Sequence, residues 1–139
     1  VYEIARHIQH NKWDVAGVDI LHLIEHKEES DLREISRVLN MASKPSQGNC
    51  GILATVHLNE NRSGQSAKRP RPALGDIRGS GSLKNDSDFT MFVYRDQDVN
   101  GVPIPDGTGN IYIAKGRNSQ LGGLDVVFQS RTMRFLEAI

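Results

Sequence analysis

The chain has 139 residues, 37% of them apolar and 24% charged, and a formal net charge of zero, so it is long enough for a real core but carries no global field to attract a polyanion. Its single cysteine, Cys50, excludes a disulfide scaffold and a cysteine zinc site. No basic-then-apolar leader and no long apolar run occurs, so no membrane partner and a cytoplasmic location are expected, and the initial Val1 suggests a chain processed or excised from something longer.

Val1 to about Lys12 reads as a helix, with Ile4 and Ile8 one turn apart. Val15 to Ile24 is an apolar run broken only by Asp19 and His22, the signature of a buried and parallel strand. Ser30 or Asp31 offers a helix N-cap, and Leu32, Ile35, Val38, Leu39 and Ala42 then recur at helical spacing up to Pro45. Gly51–Leu58 is a second apolar strand. From Asn59 to Gly75 the apolar content collapses into Gly, Ser, Pro and basic residues, a long exposed loop. Gly79-Ser80-Gly81 extends the loop, and a short helix through Leu83 to Asp88 follows. Phe89–Tyr94, Ile111–Lys115 and Leu124–Phe128 read as strands, separated by turn-rich connections. The order predicts an α/β fold: a mostly parallel sheet with antiparallel edge strands.

In such sheets ligands bind beyond the carboxyl ends of strands. Asp19, after Val15-Ala16-Gly17-Val18, stands where a Walker B strand places the acid that reaches magnesium on nucleotide phosphates. Pattern alone favours an ordinary strand-end carboxylate, because a short motif of this kind is weak. Between residues 59 and 81 lie five cations, Arg62, Lys68, Arg69, Arg71 and Arg78, against the carboxylates Glu60 and Asp76. A basic loop in a neutral chain suits a phosphate backbone, and Gly79 and Gly81 would let amides approach phosphates closely. With no aromatic residue in the loop, contact is expected to be sequence-blind. A solvated surface loop remains the alternative for Arg62, Lys68 and Arg69 individually. Lys115 and Arg117 alternate, so they point to one face at the end of a strand. His22-Leu23-Ile24-Glu25-His26 fits an inverted zincin pattern, but that motif needs both histidines on one helix, and this run is strand-like.

Several ordered motifs carry a family resemblance. Thr55-Val56-His57-Leu58-Asn59-Glu60-Asn61 resembles the Ser-Gln-Leu-Asn-Arg motif of DnaB-type helicases. Lys68-Arg69-Pro70, then Asp76-Ile77-Arg78-Gly79-Ser80-Gly81-Ser82-Leu83 and Asp86-Ser87-Asp88, resembles their Arg-Pro, Asp-Leu-Arg-Glu-Ser-Gly-Ser-Ile and Asp-Ala-Asp signature. Phe92-Val93-Tyr94-Arg95-Asp96 matches a strand ending in Tyr-Arg-Asp, and Ile113-Ala114-Lys115-Gly116-Arg117-Asn118 matches Ala-Lys-x-Arg-Asn. Upstream, Asp19-Ile20-Leu21-His22 matches Asp-Tyr-Leu-Gln. The match is colinear over nearly the whole chain, and its Arg-Gly-Ser-Gly form is also seen in phage primase-helicases.

The resemblance implies the C-terminal part of a RecA-like ATPase domain, residues 1–139, running from the Walker B strand to the C-terminal strands. It implies ATP and magnesium as cofactors, single-stranded DNA as partner, and a homo-oligomeric, hexameric ring. Asp19 would hold the metal and His57 would sense the γ-phosphate. Arg117 and Lys115, helped by Arg95, would act as fingers in the neighbouring subunit's site. Arg78, Gly79 and Gly81, with Arg62, Lys68 and Arg69, would grip DNA within the loop region 59–81. The phosphate-loop motif G-x-x-x-x-G-K-[ST] does not occur in the chain, so these 139 residues by themselves are expected to be inactive in hydrolysis. A RecA-type recombinase or other DNA-dependent ATPase, and a non-enzymatic DNA-binding fragment, are the alternatives.

Overall fold

Apolar side chains spaced three and four apart drive the first half of the chain into helices. In the computed structural model, which describes residues 1–24, 29–59, 71–98 and 101–138, helix α1 (Tyr2–Asn11) buries Ala5 and Ile8. Helix α2 (Glu29–Ala42) buries Leu32, Ile35, Val38, Leu39 and Ala42, the stripe expected from the sequence. Each Leu or Ile so buried contributes on the order of 2 kcal/mol of apolar transfer. The strands β1 (Val15–Val18) and β2 (Gly51–Ala54) pair in parallel, Val15 opposite Gly51 and Val18 opposite Ala54. Helix α3 (Ser80–Asp86) packs on α2, where Ser36 Oγ donates to Asp86 Oδ2 at 2.7 Å and Asn40 Nδ2 to the Asp86 carbonyl at 2.6 Å. One core cluster joins Ala5, Ile8, Ala16, Val38, Ala42 and Cys50; a second joins Leu21, Leu32, Ile35 and Leu39. Gly48 is required between α2 and β2, because a Cβ there would sit 2.4 Å from the Ala42 carbonyl oxygen and 2.9 Å from Ile8 Cγ2.

The second half forms an antiparallel meander of β3 (Phe89–Arg95), β4 (Thr108–Gly116), β5 (Gly122–Gln129) and β6 (Arg134–Glu137), in that order. Its interior holds Phe92, Val126 and Phe128, with Phe92 against Tyr112 and Phe128 against Phe135 at ring centroid distances of 5.4 and 5.0 Å. The chain divides into two compact units, residues 1–59 with 77–87, and residues 60–76 with 88–139. Among the described residues no helix is long and apolar enough to cross a membrane.

The α/β class holds, with several differences of detail. The parallel and antiparallel strands form separate sheets, two strands and four, rather than one sheet with an antiparallel edge. The run Val15–Ile24 is strand only to Val18, then folds into a 3-10 turn, Leu21–Leu23, which leaves Leu21 2% exposed and Leu23 74% exposed. Nor is β1 buried on both sides, since Val15 and Leu53 are 68% and 65% exposed on the face away from Ala16. Helix α2 begins at Glu29, so Ser30 and Asp31 lie inside its first turn instead of capping it, and α3 begins at Ser80 rather than near Leu83. Strand β6, all four residues of it exposed, has no alternation by which the sequence would reveal it.

Candidate nucleotide and DNA site

The parallel pair β1–β2 delivers its strand ends side by side. The Thr55 amide donates to the Val18 carbonyl at 3.0 Å and the Leu21 amide to the Thr55 carbonyl at 3.0 Å, so the ladder continues past both strands. Asp19 therefore stands directly beside Thr55, whose Oγ1 donates to Asp19 Oδ1 at 2.5 Å. The carboxylate is exposed, at the rim of an open groove of about 700 Å³ lined by Trp13, Val15, Val18 and Leu23 among others.

Two residues after Thr55 comes His57, also exposed. Its ring stacks on that of His22, with centroids 5.3 Å apart and planes 8° from parallel. The backbone there is paired too: the Arg78 amide donates to the His57 carbonyl at 3.0 Å, and Leu58 bridges Ile77 antiparallel. Ile77, buried at 3% exposure, anchors the return of the chain. Leu58 and Ile77 are thus held side by side, and Arg78, exposed, directly follows Ile77.

Gly79 follows at φ 68°, the left-handed region that suits glycine. A Cβ there would also meet Leu32 Cδ1 at 2.7 Å. Gly81 is not in a loop, as expected, but in the first turn of α3, with open space where a Cβ would be. Within the chain itself, backbone conformation and packing call for glycine at Gly79. Arg62, Lys68 and Arg69 lie outside the described residues.

In the meander unit, Lys115 pairs in register with Thr90 near the end of β4. Arg117 lies one residue past that strand; its amide donates to the Asp88 carbonyl at 2.9 Å and its Nη1 meets Asp88 Oδ1 at 3.0 Å. Both side chains are about half exposed, and such a pair is worth little and is readily released. Arg95 is placed differently. Its guanidinium carbon lies 3.6 Å from the centroid of the Phe128 ring, and Nη2 donates to the Ile104 carbonyl at 3.3 Å. That arrangement braces the meander rather than projecting a charge.

The residues that sequence reasoning passed over are Thr55, His22 and Asp88. All three lie inside the quoted motifs, but their roles depend on partners 36, 35 and 29 positions away. Of the zincin pattern, only His22, Leu23 and Ile24 lie within the described residues. His22 sits in a 3-10 turn with both ring nitrogens hydrogen-bonded, Glu25 and His26 fall outside the described residues, and among those described no group of three or more His, Cys, Asp or Glu is placed to hold a metal.

A strand-end carboxylate at the open end of a parallel pair stands where open α/β sheets bind their ligands. The DnaB-like helicase C terminal domain family matches residues 1–137, and the chain belongs to that family. The replicative DNA helicase DnaB of Buchnera aphidicola subsp. Schizaphis graminum is 36% identical over 123 residues, 85% of this chain and 26% of that protein. The replicative DNA helicase DnaB of Haemophilus influenzae is 35% identical over 123 residues, 85% of this chain and 25% of that protein. A solved chain described as a DnaB-like replicative helicase and its interactions with primase has a TM-score of 0.74 at 23% identity, covering 99% of this chain and 35% of that one, a likeness in fold. The chain spans about a quarter of the length of the curated relatives it matches.

Proposed function

We propose that this chain is the part of a replicative DNA helicase motor that runs from the Walker B strand to the C-terminal strands, and that the motor couples ATP hydrolysis to translocation on single-stranded DNA and duplex unwinding. The observation that carries this is the shared strand end: the Asp19 carboxylate, held by Thr55, stands at the start of a continuous path through His57 to Arg78. A nucleotide-facing acid and a DNA-facing cation are thereby joined through backbone hydrogen bonds.

The donor set fits magnesium with ATP. One exposed carboxylate beside a hydroxyl is what a nucleotide-bound magnesium ion needs, because that ion keeps waters and phosphate oxygens as its other ligands. When bound, magnesium-ATP supplies the phosphoryl group to be transferred and neutralises charge on it. Asp19 orients the site and His57 presents its imidazole toward the γ-phosphate position. Thr55 fixes the Asp19 rotamer. Arg117, released from Asp88, and Lys115 act on the nucleotide of a neighbouring subunit in a homo-oligomeric, hexameric ring. Arg95 helps only by holding the meander that carries them. The phosphate-cradling loop is supplied by a part of the motor outside these 139 residues, so the 139-residue chain by itself does not hydrolyse ATP.

Single-stranded DNA is gripped through its phosphates by Arg78 and the loop 59–81, including Arg62, Lys68 and Arg69. Fluorescence anisotropy with single-stranded DNA at low and moderate salt tests this. Binding should weaken as salt rises, and Arg78→Ala should weaken it further while lowering the salt slope by about 1. Equal affinity of wild type and Arg78→Ala at every salt concentration would remove Arg78 from the interface.

A further inference from the structure

The helicase reading leaves out His22, although its ring is placed more specifically than that of any other histidine described. The His57 amide donates to His22 Nδ1 at 3.2 Å, so Nδ1 is an acceptor and carries no proton. Nε2 lies 3.1 Å from the Arg78 carbonyl oxygen, which can only accept, so Nε2 carries the proton and donates. The Arg78 amide donates in turn to the His57 carbonyl at 3.0 Å. These contacts close a ring of three hydrogen bonds, His57 to His22, His22 to Arg78 and Arg78 to His57. The imidazole is half-buried and stacked on the His57 ring, which holds its plane.

We propose that His22 is a positioning residue that couples the strand end at His57 to the Arg78 turn, so that displacement of His57 by the nucleotide reaches the DNA-binding segment through one side chain. The coupling deepens the helicase reading and rests on it. His22 touches neither nucleotide nor DNA. It fixes the register between the last residues of the strand leading into the loop 59–76 and the first residues after it. The requirement is chemical: one acceptor and one donor at opposite ends of a flat group. A glutamine amide also meets it, through Oε1 and Nε2, whereas an aliphatic side chain of similar volume does not. Without the ring, the His57 amide and the Arg78 carbonyl each lose a partner, and the turn is free to move independently of the strand.

The test compares His22→Leu and His22→Gln with the unaltered protein, in the motor that carries this chain. Three quantities are read: the ratio of ATP turnover with and without single-stranded DNA, the KM for ATP, and amide hydrogen exchange at His57, Arg78 and α2. His22→Leu should lose most of the DNA stimulation, roughly tenfold or more, and speed exchange at the His57 amide. KM and exchange in α2 should stay unchanged, which shows that the fold and the nucleotide site survive. His22→Gln should restore both the stimulation and the slow exchange. Full DNA stimulation in His22→Leu, or a His22→Gln protein as defective as His22→Leu, overturns the coupling. Arg78→Ala in the same assays separates the two readings. If it abolishes DNA binding while His22→Leu leaves stimulation intact, only the coupling falls; if it leaves DNA binding intact, the DNA-loop reading falls and takes the coupling with it.

Discussion

In the unit built on β1 and β2, the candidate site residues are tied to one another. Asp19 is held by Thr55, His57 by His22, and Arg78 by His57, through side chains and backbone alike. In the meander of β3–β6, Arg117 meets Asp88, and Arg95 meets Phe128 and Ile104. Under the function proposed above, the difference follows from what each set is asked to do. Groups that relay a change within one subunit need continuous bonding. A finger that serves a neighbour's nucleotide needs only a stiff base and a side chain that can be released, which a half-exposed ion pair provides.

The contrast breaks most readily at the fingers. Arg117→Ala should lower kcat for ATP in the assembled motor by about 10³-fold, as expected for a cation that stabilises the transferred phosphoryl group. Asp19→Asn should be comparably inactive. A mixture of the two inactive proteins should recover part of the activity, because some interfaces then pair an intact Asp19 with an intact Arg117. No recovery on mixing would place both residues in the same subunit's site. The next largest effect is expected at His57, where substitution by Ala should abolish DNA-stimulated turnover and leave the basal rate within about tenfold. If stimulation survived, hydrolysis would not be reported through that strand end.

Two smaller effects concern the frame. Gly79→Ala forces a side chain into a left-handed conformation and against Leu32, and should cost about 1–2 kcal/mol of stability, read as a shift in the denaturant midpoint. Smallest is Glu34 on the face of α2. Hydrogen bonds from Arg37 and then from Tyr2 hold its carboxyl down to about 2. A carboxyl depressed in the folded state stabilises above its unfolded value, and that stabilisation is lost as pH falls from about 4.5 toward 2. Glu34→Gln should flatten this acid limb of the stability profile with little change at neutral pH. An unchanged limb would show that the Tyr2–Glu34–Arg37 cluster contributes nothing in solution.

The helical stripe Leu32, Ile35, Val38, Leu39 and Ala42 was legible because periodicity is local: each residue's burial depends on neighbours one turn away. The order of motifs from Asp19 to Arg117 was legible for a related reason, since colinear residues survive in sequence however the chain is folded. What only the tertiary structure decided is non-local. Whether Val15–Ile24 ran straight or turned after Val18 depended on where Thr55 offered its amide and carbonyl, and both alternatives are equally apolar in sequence. Arg95 looked like Lys115 and Arg117 until Phe128, 33 positions later, came under its guanidinium. His22 stood out in sequence only through a zincin pattern that its strand-like run argued against, yet its two ring nitrogens are fixed by groups 35 and 56 residues away. Sequence alone supplied the residue types and the family resemblance; the meeting of groups distant in sequence decided which contacts those residues make.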